Sequence, residues 1–165
     1  MAKVFQEITD HIRDWVGRQP MFFVATAPLA ADGHVNVSPK GPIGSLRIVD
    51  PHTVAFLDVS GSGAETIAHV RENGRITLMF CSFDRTPNVV RLHGRGHIVS
   101  LYDAEFEAWA AHFPANPAAR AVVVVHLTPA MARRGADGVV AYRRLKNRSS
   151  IDGLPAFDDD DSEGR

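Results

Sequence analysis

Residues 54–71 read Val54-Ala55-Phe56-Leu57-Asp58-Val59-Ser60-Gly61-Ser62-Gly63-Ala64-Glu65-Thr66-Ile67-Ala68-His69-Val70-Arg71. The first part is apolar like a buried strand, and the last part has the apolar spacing of an amphipathic helix. The Gly/Ser turn between them leaves free backbone N–H groups at a helix N-terminus, which suits a phosphate. Gly61 and Gly63 also allow a close approach to the backbone. By itself, however, the turn fits a plain strand-to-helix connection capped by Ser62 better, because so short a motif is weak evidence.

A second stretch, His34-Val35-Asn36-Val37-Ser38-Pro39-Lys40-Gly41, has the pattern of a strand that runs into a loop. The preceding Asp32-Gly33 is a hairpin signal. Ser38 offers a hydroxyl group and Lys40 an ammonium group, and both are useful to a phosphate. Taken alone, an ordinary strand end with an exposed lysine is the simpler interpretation. The two stretches together favour a phosphate site more than either does alone.

Three segments, His34–Gly41, Leu57–Arg75 and Ile76–Cys81, resemble the pyridoxamine 5′-phosphate oxidase-like proteins, which are flavin-binding split barrels. The closest likeness is to small bacterial members of that family. It runs from about Val4 to Val125 and returns near Ala141–Phe157. It implies a mainly β fold with some α (α+β), a split β-barrel of about six antiparallel strands with flanking helices. The sequence pattern agrees, since strands joined by short turns outnumber helices and favour an antiparallel barrel.

The apolar periodicity predicts the individual elements. Helices are expected at residues 3–18, 63–72 and 103–113, the last capped by Asp103. Asn73-Gly74 should close the second helix, since both residues tolerate the left-handed conformation. Strands are expected at residues 21–27, 34–38, 53–59, 75–82, 89–101 and 121–127.

The chain divides into three parts on this interpretation. Residues 1–128 form the FMN-binding split barrel with its N-terminal helix. Residues 129–157 form a C-terminal helical segment that is shortened relative to the family. Residues 158–165 form a disordered acidic tail, because a run of aspartates cannot bury apolar surface.

Composition excludes several classes of protein. The 165 residues, with 45% hydrophobic and 22% charged residues, suit one soluble domain. A net charge of −1 provides no field that would favour nucleic acid. Cys81 is the only cysteine, so no intrachain disulfide can form, which fits the cytoplasm. We expect neither a signal peptide nor a membrane span, since no apolar run approaches about 20 residues.

The histidines give no strong metal signal. His93 and His97 share one face of a predicted strand and could bind a metal or a haem edge. No carboxylate or thiolate nearby completes a ligand set, so a polar strand face is the simpler interpretation. We therefore expect no metal site.

The resemblance implies a phosphate-binding region, which we transfer residue by residue onto the matching stretches. Ser38 and Lys40 are expected to contact the phosphate of FMN, with Lys40 as its counter-charge. Ser62 and Gly63 are expected to add N–H and hydroxyl contacts at the start of the helix. Thr66 lies one turn into that helix, at a spacing that can aim its hydroxyl group at the same site.

The resemblance also implies a ring-binding region and an activity. Asn36, Val37 and Asp58 are expected to line the ring side, although Asp58 fits a turn-capping role equally well. A flavin brings its own redox chemistry, so no catalytic acid–base pair is predicted. The implied protein is a homodimeric, FMN-dependent oxidoreductase that acts on a small molecule with an electron donor. The alternative is a split barrel that binds flavin, deazaflavin or haem without turnover, since Ala64 and the short stretch after Leu127 depart from the family pattern.

Overall fold

The computed structural model of the chain describes residues 2–61, 63–82, 88–128 and 139–143. These residues form nine strands and three helices. The strands are β1 (Ala2–Phe5), β2 (Phe22–Thr26), β3 (Asn36–Lys40), β4 (Leu46–Asp50), β5 (Thr53–Val59), β6 (Arg75–Cys81), β7 (Asn88–Ser100), β8 (Ala119–Leu127) and β9 (Val139–Arg143). The helices are α1 (Asp10–Gly17), α2 (Ala64–Asn73) and α3 (Phe106–Ala110).

The described strands form one antiparallel sheet. Its main order is β3-β2-β6-β7-β8-β5-β4, and β9 joins β1 to part of β7. The strands β3 and β4 therefore stand at the two ends of the main order. The N–H group of Leu57 on β5 donates to the carbonyl oxygen of Ser45 just before β4 (3.0 Å). These pairings confirm the α+β prediction, although the expected six strands are too few.

Alternating burial explains why the strands enclose a core. On β2 and β6 every second side chain is buried, as an amphipathic strand requires. The main core joins these positions to α1, β5, β7 and β8. On β8, by contrast, the whole run 121–125 is buried. Val123 and Val125 face the main core while Val122 and Val124 pack in a second cluster on the other face, so β8 is covered on both sides.

The prediction of one helix over residues 3–18 is wrong in its first part. Ala2–Phe5 form β1, which pairs with β9, and the helix begins only at Asp10. Thr9 caps this helix, because its Oγ1 atom accepts a hydrogen bond from the N–H group of Ile12 (3.4 Å). An apolar run of a few residues fits either period, and the pairing with β9 decides the outcome.

The predicted C-terminal helical segment is likewise wrong for residues 139–143, which form β9. The rest of residues 129–157 and the acidic tail lie outside the described residues. The strand β4 is missing from the sequence prediction. Its burial follows no clean alternation, which removes the pattern that identifies a strand.

The predicted helix 103–113 is shorter in the structure. Asp103 does not cap it: the carboxylate of Asp103 accepts a hydrogen bond from the N–H group of Ser100 (2.6 Å) and closes a turn. The helix α3 follows at Phe106–Ala110. Within the described residues, no helix is both long and apolar enough to cross a bilayer.

The prediction for α2 is confirmed to within one residue at each end. Gly74 follows the helix with φ +70° and its N–H group bonds the carbonyl oxygen of Val70. This left-handed cap ends the helix where the sequence predicts. The start of α2 is thereby placed beside the last residues of β5, which is the position that matters for the site.

Candidate anion-binding site

Strand alternation on β3 determines which predicted residues share a face. Asn36, Ser38 and Lys40 occupy alternate positions and are half-buried. Val37 lies between them on the opposite face, and 59% of it is exposed. The structure therefore brings the three polar residues together and leaves Val37 apart from them.

A buried carboxylate lies at the end of β5. Asp58 continues the inward-facing positions Val54 and Phe56 and is 0% exposed. Its Oδ1 atom lies 3.0 Å from Nζ of Lys40, and its Oδ2 atom lies 2.7 Å from Nε of Arg120. We call Lys40, Asp58 and Arg120 the Asp58 cluster. The sequence prediction places Asp58 beside a flavin ring, whereas in the structure both of its oxygens pair with cations.

Arg120 is the functional candidate that the sequence prediction misses. The pairing of β5 with β8 shifts between Asp58 and Val59, which leaves Arg120 as an extra residue between Ala119 and Ala121. Such a bulge turns a side chain away from the regular alternation. The only sequence signal is a lone cation just before the apolar run of β8, and nothing in that signal connects it to Asp58.

Arg120 has a buried donor atom that no protein group among the described residues uses. Its Nη2 atom is buried and has no hydrogen-bond partner within the described part of the chain. A buried, unpaired guanidinium N–H is costly, so such a group normally has an explanation. An anion seated next to the cluster would supply one, because it would accept from Nη2 and balance the positive charge that Asp58 alone leaves unbalanced.

The start of α2 completes the region. Gly63 is the N-cap residue and is buried. The first helical N–H bond runs from Ile67 to the carbonyl oxygen of Gly63 (3.4 Å), and the preceding N–H groups of the first turn have no intrahelical acceptor. A Cβ atom on Gly63 would lie 2.5 Å from Oδ1 of Asp58 and 2.8 Å from Nη2 of Arg120. Ser62, also predicted to contribute, lies outside the described residues.

These contacts predict a measurable role for the missing side chain of Gly63. We expect Gly63→Ala to lower the free energy of unfolding by about 1–2 kcal/mol, because the methyl group displaces the Asp58 cluster. Chemical denaturation measures the change. Gly17→Ala is the matched control, since its Cβ meets nothing within 4 Å at the end of α1. An equal effect of the two substitutions would contradict the close packing at Gly63.

Next to the cluster lies a set of polar side chains that we call the Asn36 network: Thr26, Asn36, Ser38, Thr66 and His69. The amide nitrogen of Asn36 lies 2.9 Å from Oγ1 of Thr66 and 3.2 Å from Oγ1 of Thr26. Its Oδ1 atom accepts from the hydroxyl of Ser38 (2.9 Å). Thr66 is 0% exposed, so its hydroxyl group belongs to the interior of the site. Thr26 and His69 are absent from the sequence prediction, because only the folded sheet places them beside Asn36.

The histidines singled out by the sequence lie elsewhere. Nδ1 of His93 is 3.0 Å from Oγ1 of Thr77, and the ring of His97 stacks on His126 at a centroid distance of 5.5 Å. Burial, reinforced by the nearby His126, lowers the pKa of His97 below its ordinary value. Among the residues that the structure describes, no three His, Cys, Asp or Glu side chains are grouped as metal ligands.

Taken together, the site combines two cations, one carboxylate, a helix N-terminus and an unused buried donor. Asp58 balances one of the two positive charges, and the N-terminus of α2 adds the equivalent of about half a positive charge. The region is therefore suited to a small anion such as a phosphate monoester.

The family profile described as Pyridoxamine 5′-phosphate oxidase matches residues 8–134 of the chain. A curated relative, the pyridoxamine 5′-phosphate oxidase family protein ustO of Aspergillus flavus, is 43% identical over 130 residues. The match covers 77% of this chain and 52% of ustO, so the chain spans about half the length of that relative. The predicted likeness to small bacterial members is not tested by this fungal protein.

Solved structures share the fold. The crystal structure of HupZ from Group A Streptococcus is 26% identical with a TM-score of 0.58, and the match covers 79% of this chain and 98% of HupZ. A Clostridium acetobutylicum protein related to general stress protein 26, of the pyridoxinephosphate oxidase family, is 14% identical with a TM-score of 0.54. That match covers 82% of this chain and 88% of the other and shows the α+β split-barrel fold.

Proposed function

Because this chain belongs to the pyridoxamine 5′-phosphate oxidase family, we propose that it binds FMN and holds the cofactor phosphate at the Asp58 cluster. The observation that carries the proposal is the buried Nη2 atom of Arg120, which has no hydrogen-bond partner in the described residues. The same cluster contains a second cation, Lys40, and a Cβ atom on Gly63 at the start of α2 would lie 2.8 Å from Nη2. Lys40 and Arg120 fit a phosphate, since each offers a donor and the cluster has two positive charges for one negative charge.

Each residue of the cluster has a distinct part in this proposal. Lys40 has three N–H donors and Asp58 occupies one direction, so the others can face a phosphate. Arg120 directs Nε at Asp58 and leaves Nη2 for the ligand. Asp58 touches no ligand in this scheme; it holds the two cations in place. Gly63 lets the phosphate approach the first turn of α2, where N–H groups point at it.

When bound, FMN supplies the redox chemistry, and the chain binds, orients and shields it. We further propose that the protein catalyses flavin-dependent oxidoreduction of a small molecule, with electrons from a nicotinamide or another donor. Val37 on the end strand β3 and Val35 just before that strand are exposed, which supports a homodimer in which a second copy covers them. The single cysteine supports placing this activity in the cytoplasm.

Titration of the purified protein with FMN, riboflavin, a deazaflavin and haem tests the proposal. Saturable FMN binding that is tighter than riboflavin binding supports a phosphate site, because riboflavin lacks only the phosphate. Equal affinity for FMN and riboflavin rejects the phosphate assignment. Preference for the deazaflavin or for haem selects the alternative cofactor. Oxidation of a reduced nicotinamide by the loaded protein then separates an oxidoreductase from a binding protein.

Removing either cation should weaken FMN binding selectively. We expect Lys40→Ala and Arg120→Gln each to cost about 1–3 kcal/mol of FMN affinity, since each removes one charge-assisted hydrogen bond. Riboflavin affinity should stay at the wild-type value in both variants, which also shows that they remain folded. Arg18→Gln, at an exposed position after α1, is the control for loss of a positive charge. FMN affinities that are equal in all three variants would exclude the cluster as the phosphate site.

A further inference from the structure

A continuous hydrogen-bonded path leads from α2 to the ligand-facing side of β3. Nδ1 of His69 lies 3.1 Å from Oγ1 of Thr26, and Thr26 lies 3.2 Å from the amide nitrogen of Asn36. Asn36 in turn bonds Ser38 (2.9 Å). Thr26 is only 4% exposed, so water cannot readily substitute for a lost partner in the middle of the path.

With the Asn36 amide oriented as in the structure, counting protons along this path gives it one direction. Asn36 donates its two amide hydrogens to the hydroxyl oxygens of Thr26 and Thr66 and accepts the proton of Ser38. The proton of Thr26 is then directed at Nδ1 of His69, which accepts it. In this arrangement Ser38 donates its single hydroxyl hydrogen to Asn36. Ser38 therefore presents only lone pairs to a ligand.

The same atoms support one reversed arrangement. If Nδ1 of His69 carries a hydrogen, it donates to Thr26, and Thr26 needs an acceptor because it is buried. Asn36 provides that acceptor when its amide is turned over, and it then donates to Ser38 through its nitrogen. The hydroxyl hydrogen of Ser38 no longer points at Asn36, so Ser38 can donate it in a hydrogen bond to a ligand. The neutral imidazole allows both arrangements, because its hydrogen can be on either ring nitrogen.

We propose that His69 is a positioning residue that sets, through Thr26 and Asn36, whether Ser38 donates or accepts at the ligand. The proposal rests on the proposed function, and it takes Ser38, which shares a face of β3 with Lys40, as a contact of the phosphate ester, as expected from the sequence. The oxygens of a phosphate dianion only accept hydrogen bonds, so the bound state requires the reversed arrangement. His69 thus acts on a ligand that it does not touch.

A double-mutant cycle tests this path. His69→Phe should weaken FMN binding by roughly three- to tenfold in the wild-type background and leave it unchanged in the Ser38→Ala background. His69→Asn should restore binding, because its amide nitrogen occupies the place of Nδ1, whereas His69→Gln should not. Ala68→Gln, at an exposed neighbouring position on α2, is the control for a change of helix surface. An equal loss from His69→Phe in both backgrounds would overturn the proposal.

Nitrogen-15 NMR of the imidazole gives a readout that does not depend on affinity. At a mildly alkaline pH, His69 of the free protein should carry its hydrogen on Nε2, and saturation with FMN should move it to Nδ1. A tautomer that stays the same on FMN binding would overturn the proposal. If FMN does not bind the wild-type protein, the proposed function fails by itself. The hydrogen-bonded path is then tested in the free protein. Thr26→Val should change the ratio of the two His69 tautomers, and an unchanged ratio would reject the path.

Discussion

Replacement of Asp58 by asparagine is expected to lower the free energy of unfolding by about 2–4 kcal/mol. The carboxylate is 0% exposed and pairs with Lys40 and Arg120, so its loss leaves two cations facing each other. Breaking a fully buried pair costs about 3–5 kcal/mol, and the partial exposure of the two cations reduces that figure. Chemical denaturation of the free protein measures the change.

Asp14→Asn is the matched control, because it makes the same chemical change at an exposed position on α1. Its effect should stay within about 0.5 kcal/mol. Inorganic phosphate should recover part of the stability lost in Asp58→Asn, since it supplies the missing negative charge. Equal losses from the two substitutions would show that Asp58 does not hold the cluster together.

A comparably large loss, about 3 kcal/mol, is expected for Gly94→Ala on β7. A Cβ atom at this position would lie 2.5 Å from the backbone oxygen of His126 and 2.8 Å from Cγ1 of Val125. A backbone oxygen within a paired strand cannot move without breaking the pairing of β7 with β8. The added methyl group therefore destabilises the sheet itself. Thermal or chemical unfolding measures the loss.

Gly96→Ala provides the contrast two residues further along the same strand. Its Cβ would meet only side-chain atoms, Cγ1 of Val70 at 3.2 Å and Cγ2 of Ile76 at 3.4 Å. These neighbours can give way, so we expect a loss below about 1 kcal/mol. If Gly96→Ala destabilised the protein as much as Gly94→Ala, the distinction between a rigid backbone contact and movable side-chain contacts would be wrong.

Elements with a clear local pattern could be predicted from the sequence. The strand over residues 53–59 is found as predicted, and Gly74 ends α2 because its left-handed conformation is a property of that residue. β1 and β9 could not be predicted, since β1 depends on a partner more than a hundred residues away and β9 depends on both β1 and part of β7. Local periodicity contains no information about such a pairing.

The residues of the candidate site also fall into those that a local pattern predicts and those that depend on strand pairing. Asn36, Ser38 and Lys40 share a face because strands have a period of two, which the sequence already contains. The same rule separates Val37 from them. Arg120 enters through a shift in strand register, and Thr26 enters through the neighbouring strand. Arg120 follows from the pairing of β5 with β8 and Thr26 from the pairing of β2 with β3, and no local pattern connects either residue to the site.

The Asp58 cluster also has a consequence for synthesis of the chain on the ribosome. Its three members come from β3, β5 and β8, and Arg120 follows Asp58 by 62 positions. A nascent chain that has emerged through β6 holds Lys40 and Asp58 but lacks the second cation and the donor that remains unused in the folded protein. If the cluster binds the cofactor phosphate as proposed, full affinity arises only once β8 has been added, so a chain that ends before β8 would hold FMN less tightly than one that includes it.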